Sequence, residues 1–168
     1  LWQARLGIEA LLSGGWNIRV QASQFNTDGV RPHSAAERTL GNLRLGWVGP
    51  QDTLTLLLNS VDQPAQDPLG LTREQFDADP FQTTPQAILF NTRKTSGQTQ
   101  GGGSWRHRFI DSGALSESVL TLYAGQRDVQ QFLGFRGDFG LSSGGVVDLD
   151  RTYGGGALRF FTGDTFRI

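Results

Sequence analysis

Residues 61–103 read VDQPAQDPLGLTREQFDADPFQTTPQAILFNTRKTSGQTQGGG, and this long connection between two strand-like segments decides how the chain folds. Thr72 can accept a hydrogen bond from the free amides of a helix start, and Gln75, three residues later, can reach back to complete a capping box. We therefore predict a short helix that begins at about Arg73. It must end before Pro80, which has no amide and disfavours helical backbone in the residue before it.

The second half of this connection predicts another helix start and then a long strand. Thr84 is followed by Pro85, and proline suits the first position of a helix. Residues 88–110 contain no proline and predict one continuous extended segment. Because most connections are only a few residues long, a loop that folds on itself between two strands is seldom a plain linker.

Alternation of apolar and polar residues predicts that the rest of the chain forms about seven antiparallel strands. Short connections are expected at residues 11–15, 49–52 and 111–117, and long ones at 27–34, 62–87 and 134–150, so the long loops share one end of the sheet. The expected apolar face carries Trp16, Ile18, Val20, Leu43, Leu45, Trp47, Leu54, Leu56 and Leu58. The expected polar face carries Arg19, Gln21, Arg44, Gln98, Gln100, Arg106 and Arg108.

Composition excludes several classes of protein. A net charge of −1 on 168 residues gives no general attraction to nucleic acid. The absence of cysteine excludes disulfides, thiolate zinc sites and thiol catalysis. No run of about 18 apolar residues is present, which excludes a transmembrane helix. The chain does not begin with methionine, so we expect a mature or excised piece.

Two features indicate the surroundings of the sheet. An extended segment over residues 88–110 would reach about 75 Å at ~3.3 Å per residue, whereas strands of soluble domains usually have roughly 3 to 10 residues. A bilayer accepts only helices or closed barrels. Long alternating strands with short turns at one end favour an outer-membrane barrel with a wet lumen. A soluble antiparallel β-sandwich that acts as a binding module, with one buried face, remains open.

Five segments of the chain resemble TonB-dependent outer-membrane receptors of the ferric siderophore type. They are SQFNTDG at residues 23–29, LNSVDQP at 58–64, QDPLGLT at 66–72, FNTRK to QTQGG across 90–102, and GVVDLDR at 145–151. The resemblance implies a Gram-negative outer membrane, a barrel of about 22 strands closed by an N-terminal plug, and uptake driven by an inner-membrane energy complex. It implies no cofactor.

The chain departs from that family pattern in two ways. We expect no plug domain and no TonB-contacting segment within it, and no closing strand at residues 166–168. Residues 1–168 are therefore expected to form roughly a third of a barrel wall. The implied partners are a ferric siderophore or similar iron chelate, outer-membrane lipid, the plug and remaining strands of the parent chain, and the TonB complex through the plug. A small complete barrel of eight strands with a structural or adhesive role is the alternative.

Arginine near aromatic residues is the chemistry expected for an anionic iron chelate, because guanidinium donates two parallel hydrogen bonds to carboxylate or catecholate oxygens. The candidate ligand-binding residues on the loop side are Arg31, His33, Arg93, Lys94, Arg127, Gln131, Arg136 and Tyr153. Each of them alone could equally be a solvated residue of the lumen that pairs with an acidic neighbour or with the plug.

Catalysis and metal binding find little support in the sequence. Residues 140–144, GLSSG, match the G-x-S-x-G pattern of a nucleophile elbow, which requires a following helix and a later histidine. No helical pattern follows, and the last histidine is His107, so we expect no catalytic residues. His33 and His107 are too few for a metal site.

Overall fold

A computed structural model of the protein describes residues 1–110, 114–137 and 145–163. These residues form a single seven-stranded antiparallel sheet in which each strand pairs with its neighbour in sequence. The strands are β1 (Trp2–Leu11), β2 (Trp16–Thr27), β3 (Ala36–Val48), β4 (Asp52–Gln66), β5 (Arg93–Arg108), β6 (Leu115–Phe132) and β7 (Val146–Thr162). Two short helices, α1 (Arg73–Ala78) and α2 (Pro85–Leu89), lie between β4 and β5. The predicted all-β antiparallel meander is confirmed.

The connections divide the sheet into two ends. The turn end holds the short connections, such as the 3-10 turn Ser13–Gly15 between β1 and β2, and the loop end holds the long ones. The connections at the loop end are residues 28–35, 67–92 and 133–145, of which 138–144 lie outside the described part of the chain. No helix among the described residues is long and apolar enough to cross a membrane.

The strand register places the two kinds of side chain on opposite faces, because successive residues of a strand point to opposite sides. We call one face the tryptophan face, after Trp16, Trp47 and Trp105, and the other the tyrosine face, after Tyr123 and Tyr153. The expected apolar residues share the tryptophan face, in cross-strand rows such as Ile18–Leu45–Leu56 and Val20–Leu43–Leu58. The expected polar residues share the tyrosine face.

Three strand ends differ from the sequence prediction. Strand β4 continues to Gln66, β5 begins at Arg93 because α2 occupies Pro85–Leu89, and β7 begins at Val146. The β5 prediction was wrong because the apolar residues Ile88 and Leu89 belong to α2, and the other two were wrong because Pro64 and the glycines before Val146 indicate loops in the sequence. The backbone ladder nevertheless continues, since Gln66 still pairs with Arg93.

Helix α1 begins as predicted. The Thr72 hydroxyl oxygen accepts a hydrogen bond from the Gln75 amide at 3.2 Å, and the Gln75 side-chain oxygen accepts one from the Thr72 amide at 2.9 Å. The capping box therefore satisfies two amides that the helix itself leaves free. The second predicted start is also confirmed, with Pro85 in the first turn of α2.

The sheet itself has almost no interior. Among the described side chains, those that are buried are Ala87, Thr84 and Thr92, and all three lie in the connection between β4 and β5. On the tryptophan face large residues stay open, with Leu58 55% exposed and Leu122 56% exposed. The sheet is a single layer, and neither of its faces is covered by a packed hydrophobic core.

Replacement of Thr72 by Ala should loosen the 67–92 connection by about 1 kcal/mol, because the α1 amides lose their side-chain acceptor. Amide hydrogen exchange over Arg73–Ala78 measures the effect, and Thr95→Ala in β5 is a matched control. Exchange that is unchanged by Thr72→Ala would show that the cap does not stabilise the helix.

In water without detergent, the purified chain should not be a stable monomer. Its tryptophan face exposes a contiguous apolar surface far larger than the few hundred Å² that soluble monomers tolerate. Sedimentation velocity should show that the chain associates. If it does not associate, we expect the chain to become ordered only after detergent is added. A well-folded monomer in plain buffer would favour a soluble β-sandwich instead.

Candidate functional site

Charge is segregated between the two faces in the loop-end half of the sheet, on the loop side of the Leu58–Gly101–Ala124 row. On the tyrosine face, the described strand residues of this half include five cations and no carboxylate. These cations are Arg5, Arg38, Lys94, Arg127 and Arg151. The tryptophan face carries Glu37, Asp62, Asp128, Asp148 and Asp150, with Arg93 as its single cation in these strands.

The arginine pair of Arg127 and Arg151 is the centre of this positive surface. The two residues lie directly opposite each other on β6 and β7, with Gln98 of β5 next to Arg127 in the same row. Neither guanidinium makes a hydrogen bond or ion pair with any described residue. A cavity of about 310 Å³ adjoins the pair and is also lined by Val129, Leu149 and Asp150.

The aspartates beside this pair cannot neutralise it, because they point to the other face. Asp150 accepts a hydrogen bond from Gln126 at 3.3 Å, and Asp148 accepts one from Gln130 at 3.2 Å. The Asp128 carboxylate lies over Gly97, where an added Cβ would meet it at 2.6 Å. Each acid is thus held on the tryptophan face, and the arginine pair lacks an anionic partner among the described residues.

A layer of tyrosine rings lies next to the arginine pair on the side of the turn end. The Tyr153 hydroxyl donates to the Gln100 side-chain oxygen at 2.7 Å, and Gln98 donates to the same oxygen at 3.0 Å. The Tyr153 ring lies over Gly125, where an added Cβ would be 2.7 Å from the ring carbon that bears the hydroxyl. The missing side chain of that glycine is what lets the ring lie against the wall.

Four of the eight sequence-predicted residues meet on this surface. Arg127 and Tyr153 form its centre, and Lys94 and Gln131 lie opposite each other on β5 and β6. Lys94 is four residues from Gln98 along β5, so it lies about 13 Å nearer the loops at ~3.3 Å per residue. The tyrosine face therefore presents cationic and amide hydrogen-bond donors from the loop end toward the middle of the sheet.

The other four lie elsewhere. Arg93 points to the tryptophan face, where its guanidinium stacks 3.6 Å from the centre of the Phe132 ring. Arg31 and His33 bind backbone carbonyl groups of the 67–92 connection. Arg136 is exposed in the connection after β6. A role for these four in ligand binding stays a prediction.

Sequence reasoning missed Arg5, Arg38 and Arg151. Arg38 lies on the tyrosine face with its guanidinium 5.8 Å from the centre of the Phe25 ring. The usable signal was the strand alternation itself, which places all three on the face of Arg127. The alternation could not be applied to Arg151, because the last strand was predicted to start at Arg151 and not at Val146.

Several arginines at the turn end differ, since Arg19, Arg106 and Arg108 have carboxylate partners. The Arg19 guanidinium bonds both carboxylate oxygens of Glu9 at 2.9 and 2.8 Å, and Arg106 lies 3.4 Å from a carboxylate oxygen of Glu117. The described residues contain no group of three or more side chains suited to hold a metal ion. The G-x-S-x-G stretch at 140–144 lies outside the described residues.

Comparison with known proteins agrees on the fold. No protein-family profile matches the chain. Its structure is similar to the crystal structure of the ferric citrate transporter FecA in the unliganded form, with a TM-score of 0.67 and 20% sequence identity. The match covers 78% of this chain but 19% of that one, so this chain spans about a fifth of FecA. The fold is that of a segment of a β-barrel wall.

Replacement of Arg151 by Gln should stabilise the folded wall by about 0.5 kcal/mol, because like charges directly opposite in a sheet repel. Thermal unfolding of the parent protein in detergent at low salt measures this. The matched control is Arg106→Gln, which removes a charge paired with Glu117 and not opposite another cation, and which should lower the unfolding temperature. A loss of stability in both variants would mean that Arg151 has a counterion.

Proposed function

We propose that the chain is a wall segment of a TonB-dependent receptor in a Gram-negative outer membrane, and that the receptor takes up an anionic iron chelate of the siderophore type. The observation that carries the proposal is the group of cations without a carboxylate partner on the tyrosine face. This group, which we call the cation row, consists of Arg5, Arg38, Lys94, Arg127 and Arg151. The barrel-wall fold and the similarity to a ferric citrate transporter support it. No catalytic step is part of this function.

In this proposal the tryptophan face contacts lipid and the tyrosine face lines the lumen. Trp16, Trp47 and Trp105 share one cross-strand row at the turn end, as in the aromatic girdle of a membrane barrel. Two of the three indole N–H groups have partners there, since that of Trp47 donates to the Gly14 carbonyl at 2.9 Å and that of Trp105 donates to Asp52 Oδ1 at 2.8 Å. An indole with an apolar body and a bonded N–H suits a membrane interface.

Two further partners follow from the edges and the inner surface of this wall. Strands β1 and β7 each leave one side unpaired within the described sheet, and a barrel in lipid requires strands of the parent chain to close both edges. The inner surface would face a plug of the same parent chain. The plug would in turn contact the TonB complex.

The cation row gives the lumen a chemistry suited to anionic cargo. A guanidinium donates parallel hydrogen bonds to two oxygens of a carboxylate or catecholate. Arg127 and Arg151 lie side by side, so one chelate with two anionic groups can engage both. Lys94, nearer the loops, adds a flexible charge that attracts an approaching anion.

The double variant Arg127→Gln, Arg151→Gln should bind the cargo at least tenfold more weakly. Hydrogen bonds to charged groups contribute about 1.5–3 kcal/mol, and 1.4 kcal/mol is a tenfold change in affinity. The measurement is titration of the full parent receptor in detergent with a panel of anionic ferric chelates, beginning with ferric citrate. Binding by the variant should also depend less on salt, because two charges are lost.

Arg19→Gln is the matched control, because Arg19 lies on the same face but is already paired with Glu9. It should leave both the affinity and the salt dependence unchanged. A double variant that binds as well as the unaltered receptor would contradict the role of the arginine pair. A receptor that binds no anionic ferric chelate would contradict the proposed function itself.

A further inference from the structure

Thr92 is the point at which the loops of the loop end meet. It is fully buried, and its amide donates to the Ala87 carbonyl at 3.0 Å. Its carbonyl accepts from the Asp67 amide at 2.9 Å and lies 2.7 Å from His33 Nε2, which must therefore carry the proton. Residues from two different connections thus bind one backbone carbonyl group.

Arg31 makes a second bridge between the same two connections. One of its terminal nitrogens donates to the Pro68 carbonyl at 2.9 Å and to the Leu69 carbonyl at 2.6 Å. Its Nε is buried and has no partner among the described residues. The Nε end of the guanidinium is therefore covered while the residue as a whole is half-buried, and its observed contacts are neutral carbonyl groups of this chain.

The connection after β6 approaches the same point. A Cβ added at Gly134 would lie 2.6 Å from Leu69 Cδ1 and 3.6 Å from Thr92 Cγ2. A side chain at Gly134 would require the Leu69 side chain to move. All three connections of the loop end, 28–35, 67–92 and the described start of 133–145, therefore touch this one cluster, which we call the loop hub.

The backbone of the hub is held in a conformation that most residues avoid. His33, Leu69 and Asn91 have φ angles of 61°, 58° and 46°, and they are the non-glycine residues with positive φ in the described chain. Such backbone persists where surrounding contacts determine it. The contacts of the hub thus hold three backbone positions that non-glycine residues otherwise rarely adopt.

The hub also fixes the start of β5. Thr92 immediately precedes the strand, and Lys94 lies two residues further along, on the tyrosine face opposite Gln131. A shift of Thr92 would carry Lys94 with it, because the two are separated by one residue in extended backbone. The hydrogen bonds of Arg31 and His33 therefore fix the position of Lys94 through the backbone, although neither residue contacts Lys94.

We propose that Arg31 and His33 are positioning residues, which lock connections 28–35 and 67–92 into one preformed rim and hold Lys94 at the loop end of the cation row. The rim is then ordered before cargo arrives. The part that concerns cargo rests on the proposed function. The locking of the connections does not, and it is tested separately.

Hydrogen exchange on the full parent protein without ligand tests the locking. Arg31→Gln removes the charged fork, and His33→Asn removes the ring bond while keeping a residue that tolerates positive φ. Each variant should speed amide exchange at least tenfold in both 28–35 and 67–92. Arg31→Lys should restore part of the protection. Arg73→Gln, in the exposed ion pair with Asp77, is the control and should change exchange only near α1.

Acceleration confined to 28–35 would overturn the proposal, because the connections would then move independently. Unchanged exchange in both Arg31→Gln and His33→Asn would overturn it as well. Both outcomes are readable whether or not the receptor binds an iron chelate. A failure of locking is thus distinguishable from a failure of the proposed function.

Titration with ferric citrate, or with whichever anionic ferric chelate of the panel binds, tests the positioning. Arg31→Gln should weaken binding about threefold to tenfold while the salt dependence stays that of the unaltered receptor, since no contacting charge is lost. A salt dependence that falls as in the Arg127→Gln, Arg151→Gln variant would mean that Arg31 contacts the cargo directly. That result, or unchanged affinity despite faster exchange, would overturn the positioning role.

Discussion

The backbone ladder between neighbouring strands is the interaction on which the whole structure depends. The sheet buries almost no side chains, so the apolar interior that stabilises a typical domain is absent from the strands. What remains is a continuous row of paired amides and carbonyls from β1 to β7. A single-layer sheet of this kind requires contacts with other molecules or chain segments on both faces. The two faces of this sheet are chemically different. Apolar side chains and indoles mark one, and amides, tyrosines and arginines mark the other.

Much of this arrangement could be predicted from the sequence, because its cause is local. Alternation from Trp16 onward predicts both the strand and its faces, and the Thr72 capping box predicts the start of α1. The strand ends near the loops could not be predicted in the same way. Ile88 and Leu89 are apolar residues of α2 and not of β5. The backbone pairing that includes Pro64 in β4 and Val146 in β7 is invisible in one sequence.

The candidate site was likewise predictable only in part. Arginine and lysine near the loops were recognisable as anion-binding chemistry, but which face each residue occupies depends on the register. Adjacent residues therefore separate, with Arg93 stacked on Phe132 on one face and Lys94 on the other. Arg31 was predicted as a ligand contact, and the structure shows that it also binds loop carbonyls. That contact joins residues 37 and 38 positions apart, which no local pattern encodes.

The alternation of charge along β6 and β7 has a consequence for how such a gene can change. Arg127 is followed by Asp128, and Asp150 is followed by Arg151, so each positive residue is one position from a negative residue of the opposite face. Inserting or deleting one codon within either strand, between the apolar rows and these residues, would exchange the two signs and place carboxylates where the arginines are. Insertions of two codons would preserve the pattern. Length variation among natural relatives should therefore occur in even steps within these strands and freely in the loops.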